Sequence, residues 1–377
     1  MIEVEVHQQL RQLQRQQQGD RLDARAPWPH QLTMARLVAR GLRLQRHALI
    51  QVPPGGAHRL SYLLPALMWP GPTAICAPAD VRAELLHDVL PYLQTALSLA
   101  KPARECDRLL PDFDGVMLLD PVRWLRDRLH ADSSVSPPTV PLVLDRAEYL
   151  DDWVQDAIAV SISSHHWHHL RLALPHQAKA IERLEIRLFQ AFARRPLPQF
   201  LLHADERAIV AELAALLADT DLPEPWLAWG NLNARADAIA WVHRNLETGQ
   251  FVLHLAPSDA SDLLATRVWS SQPVVAIGEA LDLTKDAPNF RQRLGLPDAT
   301  ALRFLPDRRD EVIRVCTLST LPAPHSPLFR DRAIASLRHL LCDVPGTAVV
   351  LVSDRPLQSQ IGTALAAEFG SRVQVNA

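Results

Sequence analysis

Four short apolar runs, at residues 47–52, 73–77, 116–119 and 141–145, punctuate the first 160 residues, with stretches of helical period between them. Runs this brief, without polar alternation, suit strands buried on both faces, and parallel strands need a crossover of a dozen or more residues between them. Helical periods at 31–44, 60–67, 81–99 and 121–129 fit such crossovers, and Pro53-Pro54-Gly55-Gly56 and the Ser/Pro-rich segment 133–138 mark the breaks. The pattern predicts a doubly wound α/β domain.

Residues 165–245 lose the strand signal and read as helices, including 178–192 and 206–217; strand-like runs return at 251–255 and 273–277. A final stretch gives an apolar strand at 348–352, a helix at 357–369 and a strand at 372–375. The amino end, 3–18, is rich in Gln, Glu and Arg, with Val4, Val6, Leu10 and Leu13 at near-helical spacing, and predicts an amphipathic packing or interaction helix. The expected organisation is an arm at 1–20, a first domain at 21–164 resumed at 246–304, a helical insertion at 165–245, and an incomplete second α/β domain at 305–377.

A chain of 377 residues, 48% hydrophobic and 21% charged, has the composition of a folded protein with two or three cores. Cys76, Cys106, Cys316 and Cys342 have neither CxxC pairing nor regular spacing, so buried reduced thiols are expected rather than a disulfide framework or zinc ribbon. The amino end lacks an apolar stretch of signal-peptide length, and the most apolar later segment, 60–77, is interrupted by Pro65, Pro70 and Pro72, so a cytoplasmic protein without a membrane partner is expected. The net charge of −3 gives no global pull on nucleic acid, although residues 20–60 carry seven arginines against two aspartates.

The segment QVPPGGAHRLSYLLPAL (51–67) resembles the first motif of the DinG/XPD-type superfamily 2 helicases, an AGTGTGKT loop followed by LAYLLPA. Trp28-Pro29-His30-Gln31 is similar to that family's adenine-reading segment, with Gln31 at the base-pairing position. ICAPADVRAELLHDVLPYL (75–93) resembles the motif that touches single-stranded DNA, with Ala77 in place of the usual threonine and Pro78 beside it. LVLDRAEYLDDW (142–153) resembles the DEAH box: Asp145 and Ala147 are kept, Arg146 stands at the catalytic glutamate, and Glu148 stands at the histidine. PVVAIGEALD (273–282) looks like the TSATL coupling motif, with Ile277, Gly278, Glu279 and Ala280 replacing its polar core, and 328–373 resembles the opening of the second motor domain.

The resemblance implies a RecA-like parallel-sheet helicase core with an inserted helical subdomain and an incomplete second RecA-like domain. The final helicase motifs have no counterpart in these 377 residues. The iron–sulfur cluster of many relatives needs four cysteines between the first motif and the DEAH box; only Cys76 and Cys106 lie there, so no cluster is expected.

The residues at the implied nucleotide site predict a silent one. A phosphate loop works through backbone N–H groups aimed into one concavity, with a lysine on the β and γ phosphates. Pro53 and Pro54 have no N–H, His58 replaces the lysine, and Arg59 replaces the hydroxyl that ligates Mg²⁺. None of the three lysines, Lys101, Lys179 and Lys285, lies in a phosphate motif. Arg146 puts a cation where a carboxylate orients the attacking water, and loss of one such group costs about 100- to 1000-fold in rate. Residual nucleotide contacts would fall to Gln31, Gly55, Gly56, His58 and Arg59; no cofactor is expected, with ATP and Mg²⁺ bound only if the site functions after all.

Other constellations read as structural. His165 and His169 share a helical face, but without carboxylate or cysteine partners a solvated face is expected and no metal. Glu148, Asp151 and Asp152 suit the start of a helix, and Trp226, Trp229 and Trp241 suit core packing better than base stacking. The expected function is a helicase-like protein that holds single-stranded DNA, another nucleic acid or a protein partner without robust ATP hydrolysis. The alternatives are an active ATP-dependent helicase with non-standard phosphate contacts, a protein-interaction scaffold with no nucleic-acid role, and an unrelated α/β protein whose proline–glycine turn mimics the loop.

Overall fold

The computed structural model describes residues 1–19, 28–108, 112–130, 135–195, 197–245, 248–305, 317–324, 326–343, 346–352 and 355–375; Cys316 lies outside them. The chain forms two compact units, Met1–Asp307 and Arg308–Ala377. In the first, α1 (Ile2–Gly19) and α2 (Gln31–Leu44) lead into β1 (Ala48–Gln51), α3 (Leu60–Met68) and β2 (Thr73–Cys76). Next come α4 (Ala79–Glu84), continued through a π-helical turn into α5 (Leu90–Leu97), then β3 (Ala103–Glu105), β4 (Val116–Leu119), α6 (Pro121–His130), β5 (Leu142–Asp145) and α7 (Leu150–Ile158). An insertion follows: β6 (Val160–Ile162), α8 (Ser164–Ala173), α9 (Ala178–Ala193), β7 (Gln199–Leu201), α10 (Ala204–Leu217), α11 (Trp226–Asn233), β8 (Ala238–Arg244) and β9 (Phe251–Pro257). The unit closes with α12 (Ser261–Leu264), β10 (Val274–Gly278), α13 (Pro288–Arg293) and β11 (Thr300–Arg303).

Seven strands form one parallel sheet in the order β11-β1-β10-β5-β2-β4-β3. The period of two sends alternate residues to opposite cores. Ile50, Ile75, Leu118, Val143 and Val275 pack under α2, α3 and α5. Leu49, Ala74, Met117, Leu144 and Ala276 pack under α6 and α7, around Trp124. The expected mixed α/β architecture with a RecA-like parallel sheet is the one observed.

The amino-terminal amphipathic helix packs: Val6, Leu10 and Leu13 are buried in the core beneath α2, whereas Val4, read as part of the same apolar face, is half exposed. Two further features differ from the sequence reading. The span 165–245 holds helices but also β7 and β8, which join β6 and β9 in a four-stranded antiparallel sheet, order β6-β9-β8-β7. Ala238–Arg244 carries the strand-favouring Ile239, Trp241 and Val242, and it pairs with the apolar β9 along seven residues. In the second unit, α14 (Phe329–Asp343) and α15 (Arg355–Phe369) form, while 348–352 and 373–375 form no ladder among the described residues. An extended segment needs a neighbouring strand for its N–H and C=O groups, and propensity alone does not supply one.

Lys101 ties the end of α3 to the sheet. Its ammonium donates to the carbonyls of Ala66 (3.0 Å), Trp69 (2.8 Å) and Gly71 (2.6 Å). Burial draws its pKa down to about 8, with the Asp114 charge acting the other way. Lys101→Met is expected to strand these acceptors and cost about 2–4 kcal/mol, read as a lower urea midpoint with an unchanged denaturant slope.

Candidate nucleotide site

β10 lies between β1 and β5, so three strand ends meet at one edge of the sheet: the loop after Gln51, the turn at Gly278–Glu279, and Asp145–Arg146. In an open parallel sheet this carboxyl edge is where ligands bind. The loop 52–59 joins β1 directly to α3, with Gly55 (φ 111°) and Gly56 (φ 74°) in conformations that L side chains rarely adopt. The loop therefore runs from strand to helix at the sheet's carboxyl edge, and what distinguishes this chain is the set of side chains filling it.

Asp145 is 1% exposed, and both its oxygens are engaged within the protein. Oδ1 faces His58 Nε2 at 3.2 Å and accepts from the Arg146 N–H at 2.9 Å. Oδ2 accepts from the Tyr62 hydroxyl at 2.6 Å and lies 3.6 Å from Arg59 Nε, a Coulombic contact beyond hydrogen-bond length. Burial opposes ionisation of Asp145; the hydrogen bonds from His58 and Tyr62 and the charge of Arg59 outweigh it, leaving the carboxyl below its ordinary range. Burial, reinforced by the Asp145 charge, lifts the Tyr62 pKa well above the usual value, so its O–H stays a donor. Arg59 pairs with Glu84 and folds back against Gly56, where an added Cβ would come within 2.7 Å of its Nη1.

The mouth of the loop is closed by an acid from the neighbouring strand. Glu279 Oε1 accepts from the Gly55 N–H at 3.2 Å, and its Oε2 lies 3.3 Å from Arg146 Nη1. The Glu279 N–H in turn donates to Glu148 Oε2 at 3.0 Å, and Glu148 Oε1 lies 3.5 Å from the same arginine. Gly278 makes room for this: a Cβ there would meet Glu148 Oε2 at 2.6 Å. Arg146 sits in a left-handed conformation, φ 63° and ψ 39°, which directs its guanidinium between the two acids. Val52 N–H is spent on the Gly278 carbonyl (2.9 Å) and Arg59 N–H on the Gly56 carbonyl (3.1 Å), so these two loop donors already have internal acceptors.

Of the residues singled out from sequence, Gly55, Gly56, His58, Arg59, Asp145, Arg146 and Glu148 come together here, while Ala147 is buried in the core beneath. Gln31 is buried at the start of α2; its Oε1 accepts from Gln14 of α1 at 3.4 Å, and its carbonyl accepts from Ser61 at 3.1 Å. Ala77 is buried, with its N–H on Leu119 (3.3 Å) and its carbonyl taken by Arg82 (2.7 Å); Pro78 follows at the start of α4. Sequence reasoning missed Tyr62, Glu84 and Glu279 as partners. Tyr62 was within reach, four residues after His58 and so on the same helical face. Glu279 needed the strand order, which no local pattern carries.

Elsewhere, Trp226 and Trp229 are buried in the core of the insertion, whereas Trp241 is half-buried and stacks on His254 at 5.2 Å. The His165 and His169 rings lie 4.0 Å apart on an exposed helical face, and Asp151 pairs with Arg293 at 2.9 Å.

Three solved structures share this architecture. An apo XPD matches with a TM-score of 0.52 at 14% identity, over 88% of this chain and 71% of that one. An XPD helicase matches with 0.51 at 12% identity, over 91% and 74%, and Xpd4 of S. tokodaii with 0.53 at 12%, over 90% and 74%. The fold is that of an XPD-type helicase. No family model and no curated protein matches the chain, so its likeness to XPD is one of architecture. Within that XPD-type fold, the seven-stranded sheet and its strand-end loop are the parts that carry the site described above.

Proposed function

We propose that this chain is a helicase-fold protein that has given up nucleotide cycling and works by binding, with nucleic acid as the partner its architecture favours. The observation that supports this most is the closed network at Asp145: His58, Tyr62, Arg59 and the Arg146 N–H take the places around the carboxylate where a metal and its waters would have to sit. Glu279 puts a negative charge on the loop N–H that would otherwise meet a phosphate. A nucleotide would have to displace both, and no lysine stands ready to repay the loss.

Labelled ATP with Mg²⁺ is expected to show no saturable binding to the purified chain, and single-stranded DNA no stimulation of hydrolysis. Binding of an oligonucleotide is expected to be salt-sensitive and indifferent to ATP. DNA-stimulated turnover would overturn this reading. The triple variant His58→Lys, Arg59→Thr, Arg146→Glu is expected to stay inactive, because Glu279 still caps the loop; turnover in the triple variant would show that the three positions alone set the silence.

A further inference from the structure

We propose that the outer face of α1 and α2 is where this chain holds a nucleic-acid strand, by its phosphates. This rests on the nucleic-acid reading above and assigns the surface. The two helices run antiparallel: Glu3 pairs with Arg43 at one end (2.6 Å), and Gln14 meets Gln31 at the other. Between those contacts, His7, Arg11 and Arg15 follow one another at intervals of four along α1, and Arg36 and Arg40 at an interval of four along α2. The four arginines are exposed. Successive guanidiniums are therefore about 6 Å apart along each helix, one turn, a spacing that a backbone with one charge per nucleotide can follow.

Acids do not cancel this row. Glu3 is committed to Arg43 and Glu5 to the amino terminus (3.6 Å), and among the described residues no carboxylate pairs with Arg11, Arg15, Arg36 or Arg40. Burial, then the charges of Arg11 and Arg36, hold His7 below the usual histidine range. Of the seven arginines at 20–60, Arg36 and Arg40 thus join Arg11 and Arg15 of α1 on one surface. Gln8 and Gln12, exposed beside the arginines, add amides able to donate to and accept from sugars and bases. A lipid surface fits less well, since the apolar stripe of α1, Val6, Leu10 and Leu13, is spent inside the protein.

The test is fluorescence anisotropy of the full chain with a labelled 20-nucleotide single strand over a range of KCl concentrations. With four phosphates neutralised, log K is expected to fall against log salt with a slope of about −3. Arg11→Ala with Arg36→Ala should flatten the slope by about 1.4 and weaken low-salt binding about tenfold or more. Arg183→Ala with Arg267→Ala, exposed arginines elsewhere, should change neither. Undiminished binding by the Arg11/Arg36 variant would overturn the assignment while leaving the binding reading intact. No binding by the natural chain at low salt would overturn both, as would capture by phosphatidylserine vesicles without capture of the oligonucleotide.

Discussion

Asp145→Ala is expected to lower the free energy of unfolding by about 3–5 kcal/mol, the range for removing one partner of a buried charge pair. The substitution leaves His58 and Tyr62 without their acceptor, and Arg59 with Glu84 alone, in a site that is almost wholly buried. In an active motor the same change would remove catalysis and leave folding largely intact. Here the carboxylate is a keystone of the fold, and urea denaturation distinguishes the two cases. Asp145→Asn keeps an acceptor for Tyr62 and should cost less. The pH dependence carries the same signature. Because the folded carboxyl titrates below its ordinary value of 3.8, its contribution is fully present above that value and is lost as pH falls through the folded-state pKa. The natural chain should therefore lose stability with acid more steeply below about pH 4 than Asp145→Asn does.

The second large effect concerns α1. Leu10→Ala and Leu13→Ala are each expected to cost about 2–4 kcal/mol, since both side chains are buried and pack in the core shared with α2, α3 and α5. A detachable arm would tolerate either change within about 0.5 kcal/mol. Thermal unfolding of the two single variants separates these outcomes. The same helix carries Arg11 and Arg15 on its outer side, so substitutions on its two faces should divide: inner ones change stability, outer ones change only binding.

The parallel sheet was legible because its signal is local. Runs such as Val116–Leu119 and Leu142–Leu144 are apolar at every position, and a strand buried on both faces has to be. The insertion was half legible: its helices carry strong period, but Gln199–Leu201 is three residues long and partly exposed, and is a strand only because β8 lies beside it. At the site, sequence located most of the members and none of the contacts. His58 and Arg59 read as two separate losses, of a lysine and of a hydroxyl, and in the fold they act together on one carboxylate. Arg146 read as a misplaced charge, and in the fold it balances Glu148 and Glu279, which are 131 residues apart in the chain. The resemblance compared each position with a motif; the strand order was needed to tell which side chains it meets.

The placing of β10 between β1 and β5 has a consequence for how such a site can change over time. Residues from three strands lean on one another there, so no single substitution towards a hydrolysing site is neutral. A lysine at 58 takes a ring off Asp145, a glutamate at 146 leaves Glu148 and Glu279 without their shared cation, and loss of Glu279 leaves Arg146 with Glu148 alone and the Gly55 N–H without its acceptor. Each first step weakens the fold before any second step can restore function, and the effects are coupled rather than additive. Under the function proposed above, the sheet order works as a ratchet: it makes the silent arrangement a local optimum of stability, uphill to leave on every side.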